Sequence, residues 1–486
     1  MAPIAPVTPW SLVLPEALHS RLHGHLFPGD HDEHGAVIEA GIADSPRGVR
    51  LLAREVFLAR DGVDYVPGTR GYRQLVPDFI GQRIRHCRDE RLVYLAVHNH
   101  GGRGDVAFSP QDMASHERGY PALSDIARGM AVGALVFSED SVAGDIWMPD
   151  RRRAALTSTT VVGRRIVRLS DLEKPVRSRV DGRYDRQSRL FGDAGQAILE
   201  RQKVGVIGSG GVGMLLVEYL SRLGVGHLIV VDPDRVDGSN LPRLPGARRS
   251  DARTWFRASQ WPAPLRAFGR GRATPKVRVA ERVAREANED IRVEAVFDNA
   301  LEPDIARRLT DCDYLFLAAD TIQARLLFNA IVHQYLIPGV QLGAKVRVEA
   351  ATGDVVDVHT IARPVTPDSG CLWCNGLILP AQLAEESLTD QERQAQRYVE
   401  DAEVIAPSVI TLNAIAAAHA ANDYLFAVTG LTEVAASLDY LRVRPRTRSI
   451  RWDEPRRDPA CTESGLHSES RFARGDGTRL PTRATP

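Results

Sequence analysis

The chain has 486 residues, with 62 basic and 62 acidic side chains, so its formal net charge at pH 7 is zero. A chain of this length has room for two or three domains. Because its charges balance, it has no overall field to attract nucleic acid or an anionic membrane, and it contains no nucleic-acid-binding motif. We therefore expect proteins and nucleotides as partners.

The cysteine content and the apolar tracts favour a cytoplasmic protein. Five cysteines in 486 residues are too few for a disulfide framework. The opening Met-Ala-Pro-Ile-Ala-Pro lacks the basic and apolar regions of a secretion signal. The longest apolar tract, residues 409–431, is interrupted by Asn413, His419 and Asn422. It therefore predicts a packed helix and not a membrane span.

The first third of the chain contains a candidate metal site. Residues 92–97 predict a buried strand that runs into His98-Asn-His100, and Ser-Pro-Gln-Asp112 follows after a short loop. Two imidazoles at i and i+2 of an extended segment point to the same side. Asp112 would complete a set of three ligands, with water in the fourth position. Glu33, just ahead of a short apolar strand, is the candidate base for that water, and Glu39 is its rival.

A Glu followed far downstream by His-x-His and Ser-x-x-Asp resembles the JAB/MPN (JAMM) metalloproteases over roughly residues 20–150. The resemblance implies one catalytic zinc ion bound by three side chains, His98, His100 and Asp112. It also implies that Glu33 is the general acid and base and that Ser109 supports the oxyanion. The chain departs from the pattern at Gly101, where a proline commonly stands, and its loop to Ser109 is longer. The alternative is a pair of surface histidines without metal.

A polar segment, residues 169–183, is the best candidate for a domain boundary. We predict an N-terminal domain over residues 1–165, a linker over 166–182 and a second domain over 183–467. Residues 248–272 are polar and predict an insertion over the second domain's site. From 468 to 486 the chain loses apolar periodicity, which predicts disorder.

The glycine-rich segment after residue 204 predicts a nucleotide site. An apolar strand, residues 204–207, leads into Gly-Ser-Gly-Gly-Val-Gly, and a second strand, residues 228–231, ends at Asp232. Closely spaced glycines let the backbone approach a polyphosphate and offer N–H groups at a helix N-terminus, while a carboxylate binds the ribose. The glycines concerned are Gly208, Gly210, Gly211 and Gly213.

Polar residues beyond the second strand separate two interpretations of this loop. A glycine loop alone is typical of an NAD-dependent oxidoreductase. Asn240 and Arg243, and later Lys276, instead suit a triphosphate, because cations neutralise phosphate oxygens. Asp320 closes an apolar strand, where it could hold Mg²⁺.

These motifs together resemble ThiF/MoeB-type ubiquitin-activating enzymes over roughly residues 180–465. Arg-Tyr-Asp-Arg186-Gln, Ser-Asn-Leu-x-Arg, Pro-Lys-Val, Asp320 with Arg325 and Asn329, and Cys371-x-x-Cys374 occur in the family's order. The resemblance implies a Rossmann-like α/β domain that adenylates the C-terminal glycine of a ubiquitin-like or sulfur-carrier protein ending in Gly-Gly. ATP and Mg²⁺ would contact five side chains: Asp232, Asn240, Arg243, Lys276 and Asp320. Arg186 would reach into a partner subunit's site, which implies a homodimer.

Cys371-Leu-Trp-Cys374 predicts half of a structural zinc site. In the family the partner pair lies near the end of the domain, but only Cys461 is present here, and Ser464 replaces the second thiolate. His467 is a candidate fourth ligand, and the alternative is an empty knuckle. No cysteine occurs between residues 375 and 460. The loop over residues 380–406 therefore offers no thiol for a thioester, and its charged sequence predicts a helix.

A protease and an activating enzyme in one chain would act on the same carrier terminus, as in bacterial ubiquitin-like conjugation systems. A conjugating enzyme or a sulfur donor would then be a further partner. Three alternatives remain open at this point. They are adenylation of a peptide or small carboxylate, an NAD-dependent oxidoreductase, and a scaffold whose N-terminal domain holds no metal.

Overall fold

The structure is a computed structural model that describes residues 8–67, 73–171, 181–253, 261–349, 352–387 and 407–483. It divides into two compact units. The first unit comprises Met1–Lys174, His333–Leu336 and Asp458–Arg479. The second comprises Pro175–Val332, Ile337–Arg457 and Leu480–Pro486.

The first unit is built on an eight-stranded mixed sheet in the order β1-β3-β2-β4-β5-β6-β7-β8. β1 also pairs with β7, so the first seven strands close into a barrel-like sheet. The strands are β1 Trp10–Pro15, β2 Gly35–Ser45, β3 Gly48–Leu58, β4 Val93–Asn99, β5 Val132–Phe137, β6 Val142–Trp147, β7 Arg153–Val162 and β8 Ile166–Asp171. The predicted α/β character is confirmed, while the assignment to the JAB/MPN fold stays a prediction.

Three helices pack on this sheet: α1 Glu16–Leu26, α2 Pro77–Glu90 and α3 Pro110–Ala127. α1 buries Leu18, Leu22 and Leu26, which recur at helical spacing, in one apolar core. α2 and α3 contribute to a second core around Tyr94 and Trp147. α3 therefore lies on the sheet that contains β4, which places Asp112 and the two histidines on neighbouring elements.

The second unit contains an eight-stranded sheet in the order β11-β10-β9-β12-β13-β14-β15-β16. It is parallel from β11 to β13 and antiparallel beyond. The strands are β9 Lys203–Ile207, β10 His227–Val231, β11 Arg292–Val296, β12 Tyr314–Leu317, β13 Gly339–Val348, β14 Val355–Val365, β15 Tyr440–Arg444 and β16 Ser449–Asp453. This is the predicted Rossmann-like arrangement, in which ligands bind beyond the carboxyl ends of the parallel strands.

Helices cover the second sheet. They are α4 Asp185–Arg201, α5 Gly211–Arg222, α6 Arg249–Ala252, α7 Ala263–Arg272, α8 Lys276–Ala287, α9 Pro303–Leu309, α10 Ile322–Tyr335, α11 Pro380–Ser387 and α12 Ile410–Thr429. α12 is the packed helix expected from the long apolar tract. Within the described residues, no helix is both long and apolar enough to span a membrane. Of the loop expected to be helical, residues 388–406 lie outside the described part.

The prediction of disorder beyond Ser468 is wrong for residues 468–479, because this segment packs into the first unit. Phe472 and Ala473 are buried. The buried guanidinium of Arg54 donates to the carbonyl oxygens of Leu466 at 3.0 Å and His467 at 2.6 Å, and also to that of Phe472. Arg54 thus supplies hydrogen bonds to carbonyl groups in and just before this segment. These contacts help to order the segment although its sequence lacks apolar periodicity. The predicted linker, residues 166–182, begins with β8, and residues 172–180 are not described.

Candidate functional site

The glycine loop connects β9 to α5 at the carboxyl ends of the parallel strands. Gly208 leaves β9 at φ 94°, a left-handed conformation that glycine adopts without strain. A Cβ on Gly213 would lie 1.9 Å from the carbonyl oxygen of Gly208, so only glycine fits where the helix crosses the loop. Gly210 caps α5 and faces open space, since a Cβ added there would meet no atom within 4 Å. The loop therefore leaves room for a phosphate at the helix N-terminus.

Asp232, the predicted ribose ligand, is buried at the end of β10 and holds the loop in place. Its Oδ2 accepts from the backbone N–H of Ser209 at 2.6 Å, and its Oδ1 accepts from that of Asp234 at 2.8 Å. Burial raises the pKa of Asp232, against the nearby charge of Lys276 and these two backbone hydrogen bonds. The carboxylate thus links the two strands of the predicted site, and its contact with a ribose stays a prediction.

Each predicted phosphate ligand has a hydrogen-bond partner within the second unit. The Nζ atom of Lys276, at the start of α8, lies 2.7 Å from Oδ2 of Asp234. Arg243 donates to the carbonyl oxygen of Ser239 at 3.2 Å. Asn240 accepts from the backbone N–H of Asp237 at 3.0 Å. Binding a triphosphate through Lys276 would require that cation to exchange Asp234 for a phosphate oxygen, a partner that the sequence did not reveal.

Asp320 follows β12 and precedes α10, and the N-terminus of α10 is capped from a distant segment. Glu386 of α11 accepts from the backbone N–H groups of Ile322 at 2.8 Å and of Gln323 at 2.9 Å. Burial lowers the pKa of Arg325, while the charges of Asp320 and Glu386 oppose that shift. Glu386 is a residue that sequence reasoning missed, because nothing local marks a cap that comes from 64 positions away. Arg186, near the start of α4, is exposed, and its role in a partner subunit stays a prediction.

In the first unit, the structure brings the predicted metal ligands together. His98 and His100 lie at the carboxyl end of β4 and Asp112 lies in the first turn of α3. Nitrogen atoms of both imidazoles and a carboxylate oxygen of Asp112 all lie within 4.8 Å of one another. The Nε2 atoms of His98 and His100 are 3.6 Å and 3.4 Å from Asp112 Oδ2. Three such donors can occupy three corners of a tetrahedral zinc site.

Two further features fit a metal ion at this site. His98 Nε2 is buried and has no hydrogen-bond partner among the described residues, which is costly unless the nitrogen binds something else. Asp112 is held by the N-cap residue Ser109, whose Oγ and backbone N–H donate to Oδ2 at 2.7 Å and 2.8 Å. Although burial opposes it, the nearby imidazole of His98 and the hydrogen bonds from Ser109 lower the pKa of Asp112. Ser109 thus orients a ligand, and its role towards an oxyanion stays a prediction.

The two candidate bases occupy different places. Glu33 lines a cavity of about 510 Å³ together with Asn99 and His100. Asn99 also ties this segment to β4, because it accepts from the backbone N–H of His34 at 2.6 Å. Burial raises the pKa of Glu33, the charges of His98 and His100 oppose that shift, and the charge of Asp112 adds to it. The position of Glu33 beside His100 therefore suits a base for the proposed site.

Glu39 is instead buried in the sheet, with an exposed fraction of 1%. Its carboxylate lies 2.9 Å from Nδ1 of His86, on α2. Where β2 pairs with β4, Glu39 lies opposite Tyr94, whereas Gly35 lies opposite His98. The geometry favours Glu33.

Two of the predicted knuckle cysteines, Cys371 and Cys374, lie in the second unit, where they offer half of a structural zinc site. Asn329 supports the turn at Cys371, because its Oδ1 accepts from the backbone N–H of Leu372 at 2.8 Å. Cys461 and His467 belong to the first unit, where Nε2 of His467 lies 3.1 Å from the carbonyl oxygen of Cys461. A zinc ion shared by the three cysteines stays a prediction.

Comparisons with known proteins identify the family of the chain. The ThiF family model matches residues 184–463. The SAMP-activating enzyme E1 of Haloferax volcanii is 29% identical over 195 residues, which are 39% of this chain and 61% of that enzyme. The sulfur carrier protein ThiS adenylyltransferase of Bacillus subtilis is 29% identical over 150 residues, covering 30% of this chain and 39% of its own. The sulfur carrier protein adenylyltransferase of Thermus thermophilus is 33% identical over 154 residues, covering 30% and 48%.

The chain thus spans about two fifths to three fifths of the length of these three relatives. A structure of the microcin C7 biosynthetic enzyme MccB with N-formylated MccA is a more distant likeness. It is 18% identical, has a TM-score of 0.45 and covers 60% of this chain and 77% of that one. The family match includes the glycine loop, Lys276 and Asp320, and it covers more than half of the 486 residues. The chain belongs to the ThiF family.

Proposed function

We propose that the second unit uses ATP to adenylate the C-terminal carboxylate of a ubiquitin-like or sulfur-carrier protein that ends in Gly-Gly. The observation that carries the proposal is the loop Gly208–Gly213 with Lys276 and Asp320 at one edge of the sheet, within the ThiF match. The names of the relatives support such a carrier as the substrate.

The chemistry follows from these side chains. A carboxylate oxygen of the carrier attacks the α-phosphorus of ATP, the bond from the α-phosphorus to the bridging oxygen breaks, and pyrophosphate leaves. Lys276 and Arg243 would neutralise charge on the phosphate oxygens, with Lys276 giving up Asp234. Asp320 would hold a Mg²⁺ ion, which would neutralise charge on the phosphates. Arg186 would act in the other subunit of a homodimer, and a sulfur donor or conjugating enzyme would take the acyl group.

Exchange of labelled pyrophosphate into ATP tests this proposal, with and without a candidate carrier. We expect exchange only with the carrier, and loss of exchange in Lys276→Ala and Asp320→Ala. Lys345→Ala is the matched control, because Lys345 is an exposed lysine on β13. Exchange at the unmutated rate in Lys276→Ala or Asp320→Ala would refute the site. Tight NAD binding without exchange would favour an oxidoreductase.

For the first unit we propose zinc-dependent hydrolysis of the peptide bond that follows the Gly-Gly of the same carrier. The observation that supports this proposal is the convergence of His98, His100 and Asp112, with a buried His98 Nε2 that has no hydrogen-bond partner among the described residues. Zinc bound there would polarise the scissile carbonyl and lower the pKa of a bound water. Glu33, whose pKa is raised by burial, would accept a proton from that water and deliver it to the leaving amine. The family match begins at residue 184, so this proposal depends on the geometry alone.

The full-length protein, loaded with zinc, tests the second proposal on a carrier extended beyond Gly-Gly. We expect Glu33→Gln to retain zinc and lose cleavage, and His98→Ala to lose both. Glu39→Gln is the matched control, because Glu39 pairs with His86, and it should cleave normally. Normal cleavage by Glu33→Gln would refute the base. Wild-type protein that binds no metal through His98 would favour the scaffold alternative.

A further inference from the structure

The two halves of the proposed zinc site lie on different elements. β4 carries His98 and leads directly into His100, and α3 carries Asp112. The loop between them is hydrogen-bonded to the turn after β5, where the backbone N–H of Gly104 donates to Asp140 Oδ1 at 2.6 Å and Ser138 Oγ donates to the carbonyl oxygen of Gly104 at 2.8 Å. Asp112 lies beyond this loop, so its position also depends on the contacts between α3 and the sheet.

A buried contact between α3 and the sheet is made by His116, which lies one turn after Asp112 on α3. Its Nδ1 donates to Oδ2 of Asp145 on β6 at 2.8 Å, and both side chains are buried. The imidazole also packs against Phe108, with ring centroids 4.9 Å apart, and Phe108 lies 6.0 Å from the ring of His98. His116 thus lies on the helix that carries Asp112 and contacts Phe108, which lies beside His98.

Asp145 is a firm anchor because several donors hold its carboxylate. Arg153 donates through Nε at 2.9 Å and through Nη2 at 2.7 Å, and Trp147 Nε1 donates at 3.1 Å. Burial opposes ionisation, but hydrogen bonds from His116, Arg153 and Trp147 together lower the pKa of Asp145 to about 2. The charge of Asp145 would stay paired with Arg153 if His116 were replaced, so such a variant avoids an isolated buried charge.

We propose that His116 is a positioning residue for the zinc site, which holds the first turn of α3 against the sheet through Asp145 and seats Phe108 beside His98. This inference depends on the zinc site proposed above. His116 touches neither metal nor substrate in this role. Residues behind the ligands of metal sites typically change metal affinity by about 10- to 100-fold when they are replaced.

Metal binding by the full-length protein tests the inference, with Co²⁺ as a probe that reports ligand geometry through its d–d absorption. A His/Asp site gives no sulfur-to-cobalt charge transfer, so its signal can be separated from that of cobalt bound by cysteine thiolates. The His98→Ala variant gives the baseline spectrum without the His/Asp site. In His116→Phe the aromatic contacts remain and only the hydrogen bond is lost. We expect zinc and cobalt to bind roughly tenfold more weakly and the d–d bands to shift. His116→Gln, whose amide can donate to Asp145, should restore both.

Tyr120→Phe is the matched control. Tyr120 lies one turn further along α3, contacts the His116 ring, and donates its hydroxyl to the carbonyl oxygen of Gly133 at 3.2 Å. Its loss should leave cobalt affinity and spectrum unchanged. Equal effects of His116→Phe and Tyr120→Phe, or no effect of His116→Phe, would overturn the inference while leaving the zinc site intact. Wild-type protein with no cobalt signal that depends on His98 would refute the proposed zinc function itself.

Discussion

Two glycines of one loop should respond to alanine in opposite ways. At Gly213 an added Cβ would lie 1.9 Å from the carbonyl oxygen of Gly208, against an ordinary contact of at least 3.4 Å. The shortfall of 1.5 Å falls on backbone atoms, which cannot rotate away as a side chain does. At Gly210 the same Cβ would meet no atom within 4 Å, and φ is −71°, which alanine adopts readily.

The expected magnitudes follow from this contrast. Overpacking a rigid contact costs about 1–3 kcal/mol, so we expect Gly213→Ala to lose about 3 kcal/mol of unfolding free energy. For a domain of this size that is a fall of roughly 6–12 °C in Tm. Gly210→Ala should change stability by less than about 1 kcal/mol, because the loss of a preferred N-cap residue offsets the reduced entropy of the unfolded chain.

Gly210→Ala should weaken ATP binding although it hardly changes the stability of the fold. Its methyl group would enter the space through which a phosphate approaches the helix N-terminus, so we expect at least about tenfold weaker ATP binding in a folded protein. Thermal unfolding followed by circular dichroism and titration calorimetry with ATP measure the two quantities. Wild-type ATP affinity in Gly210→Ala would show that phosphates bind elsewhere. An unchanged Tm in Gly213→Ala would contradict the loop geometry.

Three further predictions concern the cysteines, an acidic cap and a buried aspartate. No thioester should form on this chain, because Cys87, Cys312, Cys371 and Cys461 are buried and burial raises the pKa of Cys87; a carrier adduct released by thiol reductant and absent in Cys87→Ala or Cys461→Ala would contradict this. Glu386→Ala should raise severalfold the Mg²⁺ concentration needed for half-maximal pyrophosphate exchange, since losing the cap of α10 costs about 1 kcal/mol beside Asp320. Glu386→Gln should cause a smaller increase, because its amide oxygen can still accept a backbone hydrogen bond. The pKa of Asp145 is lowered to about 2, so its ionised form stabilises the fold above its unfolded pKa and this stability is lost on acidification. The stability difference between wild type and Asp145→Asn, from urea unfolding, should shrink by about 1 kcal/mol between pH 5 and pH 3, and a constant difference would refute the assignment.

The nucleotide loop could be predicted from the sequence because its determinants are local. A β-branched strand, closely spaced glycines and a carboxylate after the next strand specify β9, the start of α5 and the position of Asp232 within a short stretch. The same holds for the capping of α3, where Ser109 and Asp112 are neighbours in the chain. The local sequence pattern did not reveal which carboxylate pairs with Lys276. Lys276 meets Asp234 only because α8 begins beside the end of β10.

Long-range contacts explain the remaining differences. Strand register separates the positions of Glu33 and Glu39, because pairing Gly35 with His98 leaves Glu33 just beyond the strand and Glu39 inside the sheet. Register depends on the partner strand, which the local sequence does not specify. The disorder predicted beyond Ser468 failed for a related reason. Arg54 supplies the backbone of that segment with donors from more than 400 positions away.

On an extended carrier, the proposed cleavage must precede the proposed adenylation, because both reactions act on the same terminus. This order leads to a last prediction. Adenylation needs a free glycine carboxylate, whereas an extended carrier offers only a peptide bond there, which cannot attack ATP. Pyrophosphate exchange with an extended carrier should therefore require an intact Glu33, while exchange with a carrier that already ends in Gly-Gly should not. Glu33→Gln separates the two cases within one protein, because the adenylation residues are untouched. Exchange by Glu33→Gln on the extended carrier would refute the coupling, and failure on the mature carrier would assign Glu33 to a structural role.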